Sequence, residues 1–314
     1  MFRRWLSSFW NNNKSKIFNL AKVLGLVILL GFAFAKTVGM LVSSDTTNTA
    51  SKEAYTPEQT VILGTNISEE KFEEQNSLVK SFVDYCNEQN YEEAYNLLTE
   101  DCKEKIYPSL SDFENKYCKR IFTEKREYNL QSWINNGKYN TYRVRFTGDI
   151  IGNGSYDNSE NYEDYITIVT NDEGQKLNIN GYIKTEEINK ETKNDKIQAV
   201  AKEVDTYMDY VTYKVSIKNI SENDILLDEL NTKNDINLIG TNSSSYKLSS
   251  NNLMQRQLLV TKNMRKDISL TFNKQYGSDV RGSYIEFSNV IEDYNEYKEN
   301  NDSYEKYIKI IIYL

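Results

Sequence analysis

The 314-residue chain has no histidine, two prolines, 13 glycines and three cysteines. The missing histidine removes Ser-His-Asp and Cys-His catalysis and histidine-ligated zinc. Three cysteines cannot all pair with one another, and no CxxC spacing is present. Cys86, Cys102 and Cys118 all fall in predicted helices. A helix running from Tyr91 holds Cys102 about 17 Å from its start, near which Cys86 should lie, whereas a disulfide needs Cα atoms within about 7 Å. Cys86 with Cys118 stays feasible, but small buried thiols are the adopted reading and no disulfide is expected. Glycine is too sparse for a phosphate loop: Gly152 and Gly154 do not lead a strand into a helix. The acid-rich stretch with Asp293, Asn295, Glu296 and Asp302 lacks the glycine of a calcium loop. No cofactor, no metal and no catalytic residue is expected. Basic residues are outnumbered, 38 to 46, for a net charge of −8, which argues against a nucleic-acid partner.

The few basic residues are unevenly placed. Arg3, Arg4, Lys14, Lys16, Lys22 and Lys36 stand in a stretch without acids, and Val23–Val42 is apolar apart from Lys36. About 20 residues at 1.5 Å each span a hydrocarbon core of roughly 30 Å. The basic stub 1–22 places the N-terminus in the cytoplasm and the C-terminus outside. Ala33-Phe34-Ala35 fits a cleavage site, so a signal peptide competes with an anchor. The apolar run resumes after Lys36, and Trp5, Phe9 and Trp10 suit an interfacial belt, so a retained transmembrane helix at 23–42 is favoured. The expected localisation is the cell membrane, single-pass. The bias toward Asn, Lys, Ile, Tyr, Glu and Asp resembles that of low-GC Gram-positive bacteria.

Residues 43–68 are rich in Ser, Thr and Asn and read as a stalk, in which Val61-Ile62-Leu63 is an apolar break that can dock on the next domain. Ser68 is the expected N-cap of a helix with Leu78, Val79, Phe82, Val83 and Cys86 on one face. A second helix starts near Tyr91, and a third follows Pro108 with Ser111 and Glu114 as its capping box. The period then becomes two. Strands at 128–134 and 139–148 flank Asn136-Gly137, and strands at 165–170 and 176–183 flank the turn 171–174. The run 187–196 reads as a charged linker. Beyond it Val211, Tyr213, Val215 and Ile217 alternate with polar residues, as do Ile268, Leu270 and Phe272, then Ile308, Ile310, Ile312 and Leu314. About seven strands describe a β-sandwich, with 292–307 as a solvated loop.

Helices followed by a meander describe an α+β domain at 69–188. The segments NSLVKSFVDYCNEQNYEEAYNLLTEDCKEKI, YNTYRVRFTGDIIGNGSY and YEDYITIVTNDEGQKLNINGYI resemble the nuclear-transport-factor-2-like (cystatin-like cone) superfamily, closest to its exported bacterial members. YVTYKVSIKNISENDILLDEL and DISLTFNKQY, within 197–314, are similar to immunoglobulin-like domains of bacterial envelope proteins, without a Cys-Trp-Cys core. The first resemblance implies a cone whose pocket Trp133, Tyr142, Phe146 and Tyr165 line, with Asp149 or Asp164 near the rim. Against this, aromatics at strand spacing are commonly packing.

The resulting expectation is a membrane-anchored extracytoplasmic binding or scaffold protein without catalytic activity, with other envelope proteins as partners. Its plan resembles that of bitopic proteins of conjugation and secretion assemblies. The alternative is a surface-exposed ligand- or cell-wall-sensing module. An enzyme using the cone pocket ranks last.

Overall fold

The helical layer follows from caps and spacing. Ser68 Oγ accepts a hydrogen bond from Lys71 N and opens helix α1, Glu69–Asn87. Phe72, Gln75, Val79, Phe82, Val83 and Cys86 lie on its buried face at helical spacing. The stretch after Tyr91 is not one helix. It divides into α2 (Tyr91–Asn96) and α3 (Glu100–Ile106), because Thr99 turns out of the helix and caps α3 through Cys102 N. Leu97 and Leu98 leave the helical path to bond and bridge Leu177. After Pro108 the cap is Ser109, which accepts from Asp112 N, in place of the expected Ser111. Helix α4 (Leu110–Phe113) runs through a π-helical turn, Glu114–Cys118, into α5, Lys119–Ile121.

The computed structural model describes residues 63–64, 66–148, 161–172, 174–230, 235–249, 253–275, 277–300 and 304–314. All belong to one compact unit, Thr56–Leu314. The first sheet has the order β1-β2-β3-β4-β5, from β1 (Leu63–Gly64), β2 (Arg126–Asn135), β3 (Tyr139–Gly148), β4 (Tyr162–Asn171) and β5 (Gly174–Asn178). Leu63, the end of the apolar break in the stalk, docks as expected, pairing in parallel with Ile134. Gly64 beside it is obligatory: its φ is 106°, and a Cβ there would sit 1.9 Å from the carbonyl oxygen of Asn135.

The second half is two packed sheets. One has the order β13-β8-β7-β6, from β6 (Tyr182–Lys193), β7 (Ile197–Tyr207), β8 (Tyr210–Asn219) and β13 (Arg265–Asn273). The other is built around β14 (Gly282–Ile291), flanked by β10 (Ile236–Gly240) and β15 (Tyr307–Tyr313), with β9 (Ile225–Leu226), β11 (Ser245–Lys247) and β12 (Leu259–Val260) beyond. The alternating residues Val211, Tyr213, Val215 and Ile217 meet Ile285, Phe287, Ile310 and Ile312 in one core.

Several expectations change. The charged run after Glu187 is strand: Glu187, Lys190, Glu191, Thr192 and Lys193 pair with β7, their charges on a solvated edge. The stretch 292–307 holds a short helix (Tyr294–Glu299) capped by Asp293, and Tyr297 and Tyr304 enter the sandwich core. Among the described residues no helix is long and apolar enough to cross a membrane. Helix α1, the longest of them, carries Glu69, Glu70, Lys71, Glu73, Glu74, Lys80 and Asp84. The expected transmembrane helix at 23–42, with the basic stub and most of the stalk, lies outside the described residues. The fold class that opened with that helix, the single-pass membrane localisation, the membrane partner and the membrane-anchored function are corrected on this finding and enter no further argument.

All three cysteines are free and buried. Cys86 Sγ lies 3.6 Å from Cys118 Sγ, a contact between thiols. Burial pushes Cys86 far up and Cys102 up to about 12, so neither is a thiolate at neutral pH. We expect the native protein to release less than a tenth of the chromophore of a disulfide reagent at pH 8, and all three equivalents in denaturant. Fast stoichiometric reaction of the folded chain would contradict the buried placement.

Candidate functional site

Strand β6 starts from a turn that the sequence writes plainly. Asn180 and Gly181 have φ of 59° and 70°, and Tyr182 N bonds to Ile179 O, the form of a type I′ turn. The segment expected as one strand, 176–183, is therefore β5, this turn and the start of β6. The turn carries the chain from the first sheet into the second. Asp164 holds it in place: its Oδ2 accepts from Asn180 N at 3.0 Å and from Tyr117 Oη at 2.7 Å, and its Oδ1 from Tyr165 N at 2.6 Å. Burial raises the Asp164 carboxyl above the usual range, opposed by these donors.

Two residues after the turn the register of β6 against β7 shifts: Tyr182 faces Tyr207, but Lys184 faces Thr206. The extra residue is Ile183, and such bulges re-aim side chains. Ile183 and Lys184 consequently both line a cleft where β6 passes the end of the first sheet. Three cavities adjoin there and share Lys184. One, of about 250 Å³, lies among Leu98, Lys138, Tyr139, Lys176 and Asn178. The central one, of about 220 Å³, has Ile134, Tyr139, Ile183, Thr206 and Lys274 among its walls. The third, of about 270 Å³, extends past Glu186, Tyr213 and Arg281.

Some of the cleft's charges are matched. Lys184 Nζ lies 2.7 Å from Glu186 Oε2, and Arg281 Nε lies 3.5 Å from Asp279 Oδ2. Two ammonium groups approach the ring of Tyr139, Lys138 at 5.4 Å and Lys184 at 5.7 Å from its centroid. Lys274 differs. It is 9 % exposed, and its Nζ donates to the carbonyl oxygen of Ser278 at 2.5 Å without an ion pair among the described residues. Burial lowers it to about 8, against the pull of Asp279 and Asp209. No sequence signal marked Lys274 or Lys184; Asn180-Gly181, inside the expected strand 176–183, was the signal that could have shown the turn into β6.

That lowered value is a stability statement. In the unfolded chain the lysine titrates near 10.5, so the folded state is penalised while the side chain is charged. The penalty holds below about pH 8 and fades as pH rises toward 10.5. Lys274→Met should therefore raise the unfolding free energy by about 2 kcal/mol at pH 7, the charge penalty less one hydrogen bond. The gain should shrink to near zero by about pH 10.5. Urea titrations of both proteins at several pH values measure it, and a difference that does not fall with pH, or that is unfavourable at pH 7, would refute it.

The four residues expected to line a cone pocket do not come together. Tyr142 and Phe146 point toward the helices and are fully buried: Tyr142 Oη donates to Gln75 Oε1 at 2.6 Å, and Phe146 meets Phe122 edge-on at 5.4 Å. Trp133 and Tyr165 lie on the opposite face, ring to ring at 5.5 Å, in a small cluster with Ile183 and Met208. The divergence is strand geometry: Tyr142 is opposite Ile166, so its neighbour Arg143 is opposite Tyr165. None of the four lines the three cavities of the cleft, though Trp133 and Tyr165 back its wall through Ile183. Asp164 is inside rather than at a rim, and Asp149 lies outside the described residues. Among the described residues no group of three or more Cys, Asp or Glu could hold a metal ion.

No family model matches this chain, and neither a curated protein nor a solved structure matches it.

Proposed function

We propose that this chain is a ligand-binding module without catalytic activity, and that its ligand sits in the cleft along β6. The observation that carries the reading is the sharing of Lys184 by three adjoining cavities, which makes one continuous concave surface of polar and apolar walls. Three of its acids are held in ion pairs, Glu186 with Lys184, Asp279 with Arg281 and Glu100 with Lys103, while Asp101 and Glu187 also line it. Such pairing suits recognition better than proton transfer. The same reading takes the helices with β1–β5 as a nuclear-transport-factor-2-like layer and β6–β15 as an immunoglobulin-like sandwich. The order of helices before a meander supports the first, and the core shared by two sheets supports the second. The aromatic interior of the first layer then serves packing, and the binding surface arises where the two layers meet.

The test is a ligand-observed NMR screen of small fragments against the full-length chain. It is repeated with Ser278→Trp, which fills the central cavity from its loop. Fragments should bind, lose binding in the variant and be recovered chemically unchanged. A screen without binders, or binders indifferent to Ser278→Trp, would rule the cleft out. Conversion of a bound fragment would overturn the non-catalytic reading.

A further inference from the structure

The central cavity combines apolar walls with one buried cation, Lys274, and with the ion-paired side chains of Lys184 and Asp279. Ile134, Tyr139, Ile183 and Gly277 supply the walls. An ammonium has three N–H donors, and Lys274 uses one of them, on Ser278 O. No acceptor among the described residues takes the other two. Thr206, 8 % exposed and in the same wall, makes no hydrogen bond through its hydroxyl among the described residues. A buried charge that keeps donors in reserve costs folding free energy. Its retention here makes sense when a ligand completes the pairing.

We propose that the central cavity binds a small monocarboxylate, its carboxylate on Lys274 Nζ and Thr206 Oγ1 and its apolar body against Tyr139, Ile134 and Ile183. This rests on the ligand-binding reading of the cleft. With Lys184 matched by Glu186 and Asp279 by Arg281, the ammonium of Lys274, without an ion pair among the described residues, leaves one positive charge to balance, so a dianion such as phosphate would leave a charge uncompensated. The space is modest, about 220 Å³. Short aliphatic acids and single aromatic rings fit that space. Lys184 is already matched by Glu186, so the acid's orientation is set from the Lys274 side.

The charged and titratable groups facing Lys274 are Asp279 from its own loop, Asp209 from the β7–β8 turn, Lys184 from β6 and Tyr139 from β3. Losing the ammonium's charge should release a carboxylate and leave a neutral ligand in place. The experiment measures binding of butyrate and benzoate, and of butyramide and benzamide, to the full-length chain by calorimetry and ligand-observed NMR. The acids should bind at least tenfold more tightly than the amides at pH 7. Lys274→Met should abolish that preference. In the unaltered protein the preference should fall at least fivefold between pH 7 and pH 9.5, a readout that needs no variant to fold. Amides binding as well as acids, or an acid preference that survives Lys274→Met or pH 9.5, would overturn the carboxylate assignment and leave the cleft a binding site. No binding of any of the four, when other fragments bind and Ser278→Trp blocks them, also overturns it. No binding of any fragment removes the ligand-binding reading together with it.

Discussion

Replacing Phe146 with alanine lowers the unfolding free energy by about 3–5 kcal/mol, the cost of truncating a fully buried phenylalanine. The ring is 0 % exposed and packs edge-on against Phe122. Its strand is central in the first sheet, paired on both sides, so the backbone cannot collapse far into the space left behind. Two neighbours set the scale. Trp133→Ala, on the half-buried opposite face, should cost clearly less, about 1–2 kcal/mol, although tryptophan is larger. Tyr142→Phe keeps the packing but strips Gln75 Oε1 of its buried donor, for about 1–2 kcal/mol. Urea denaturation of the three variants tests the order. A Trp133→Ala loss as large as that of Phe146→Ala would mean that the outer aromatic pair, and not the interior between β3 and the helices, is the tighter core.

Asp164→Asn should cost about 2–3 kcal/mol, and Asp164→Leu more, because the carboxylate is surrounded by donors. An amide offers one oxygen where two are in use. With its NH₂ in the Oδ1 place it faces Tyr165 N, and in the Oδ2 place it faces Asn180 N. One rotamer orphans the buried N–H of Tyr165 and the other the part-buried N–H of Asn180. The Oδ2 loss also loosens the turn Asn180-Gly181, from which Ile183 and Lys184 are set into the cleft. Fragment binding should therefore weaken along with stability in Asp164→Asn. Unchanged stability with lost binding would indicate instead that the carboxylate meets ligand directly.

Much of the local structure was legible in the chain. Ser68 before a helical stripe, Asn136-Gly137 between alternating runs, and the period-two pattern of Val211 to Ile217 each state a backbone preference within a few residues. Such preferences act at short range, and the fold keeps them. The absence of histidine likewise narrows the chemistry whatever the fold. Where neighbours override propensity the reading diverged. Thr99 ends a helix because Leu177 competes for Leu97 and Thr99, and the charged run after Glu187 is strand because β7 lies beside it. The aromatics Tyr142, Phe146, Trp133 and Tyr165 announced strands, but their faces depend on the register across β3 and β4 and on a bulge at Trp133. The cleft was legible in no segment at all. Its walls come from residues 134, 139, 183, 206 and 274, and its key feature is a lysine indistinguishable in sequence from others in the chain. What sets Lys274 apart is burial without an ion pair among the described residues. That is a property of the space several chain segments enclose, so tertiary packing alone decided it.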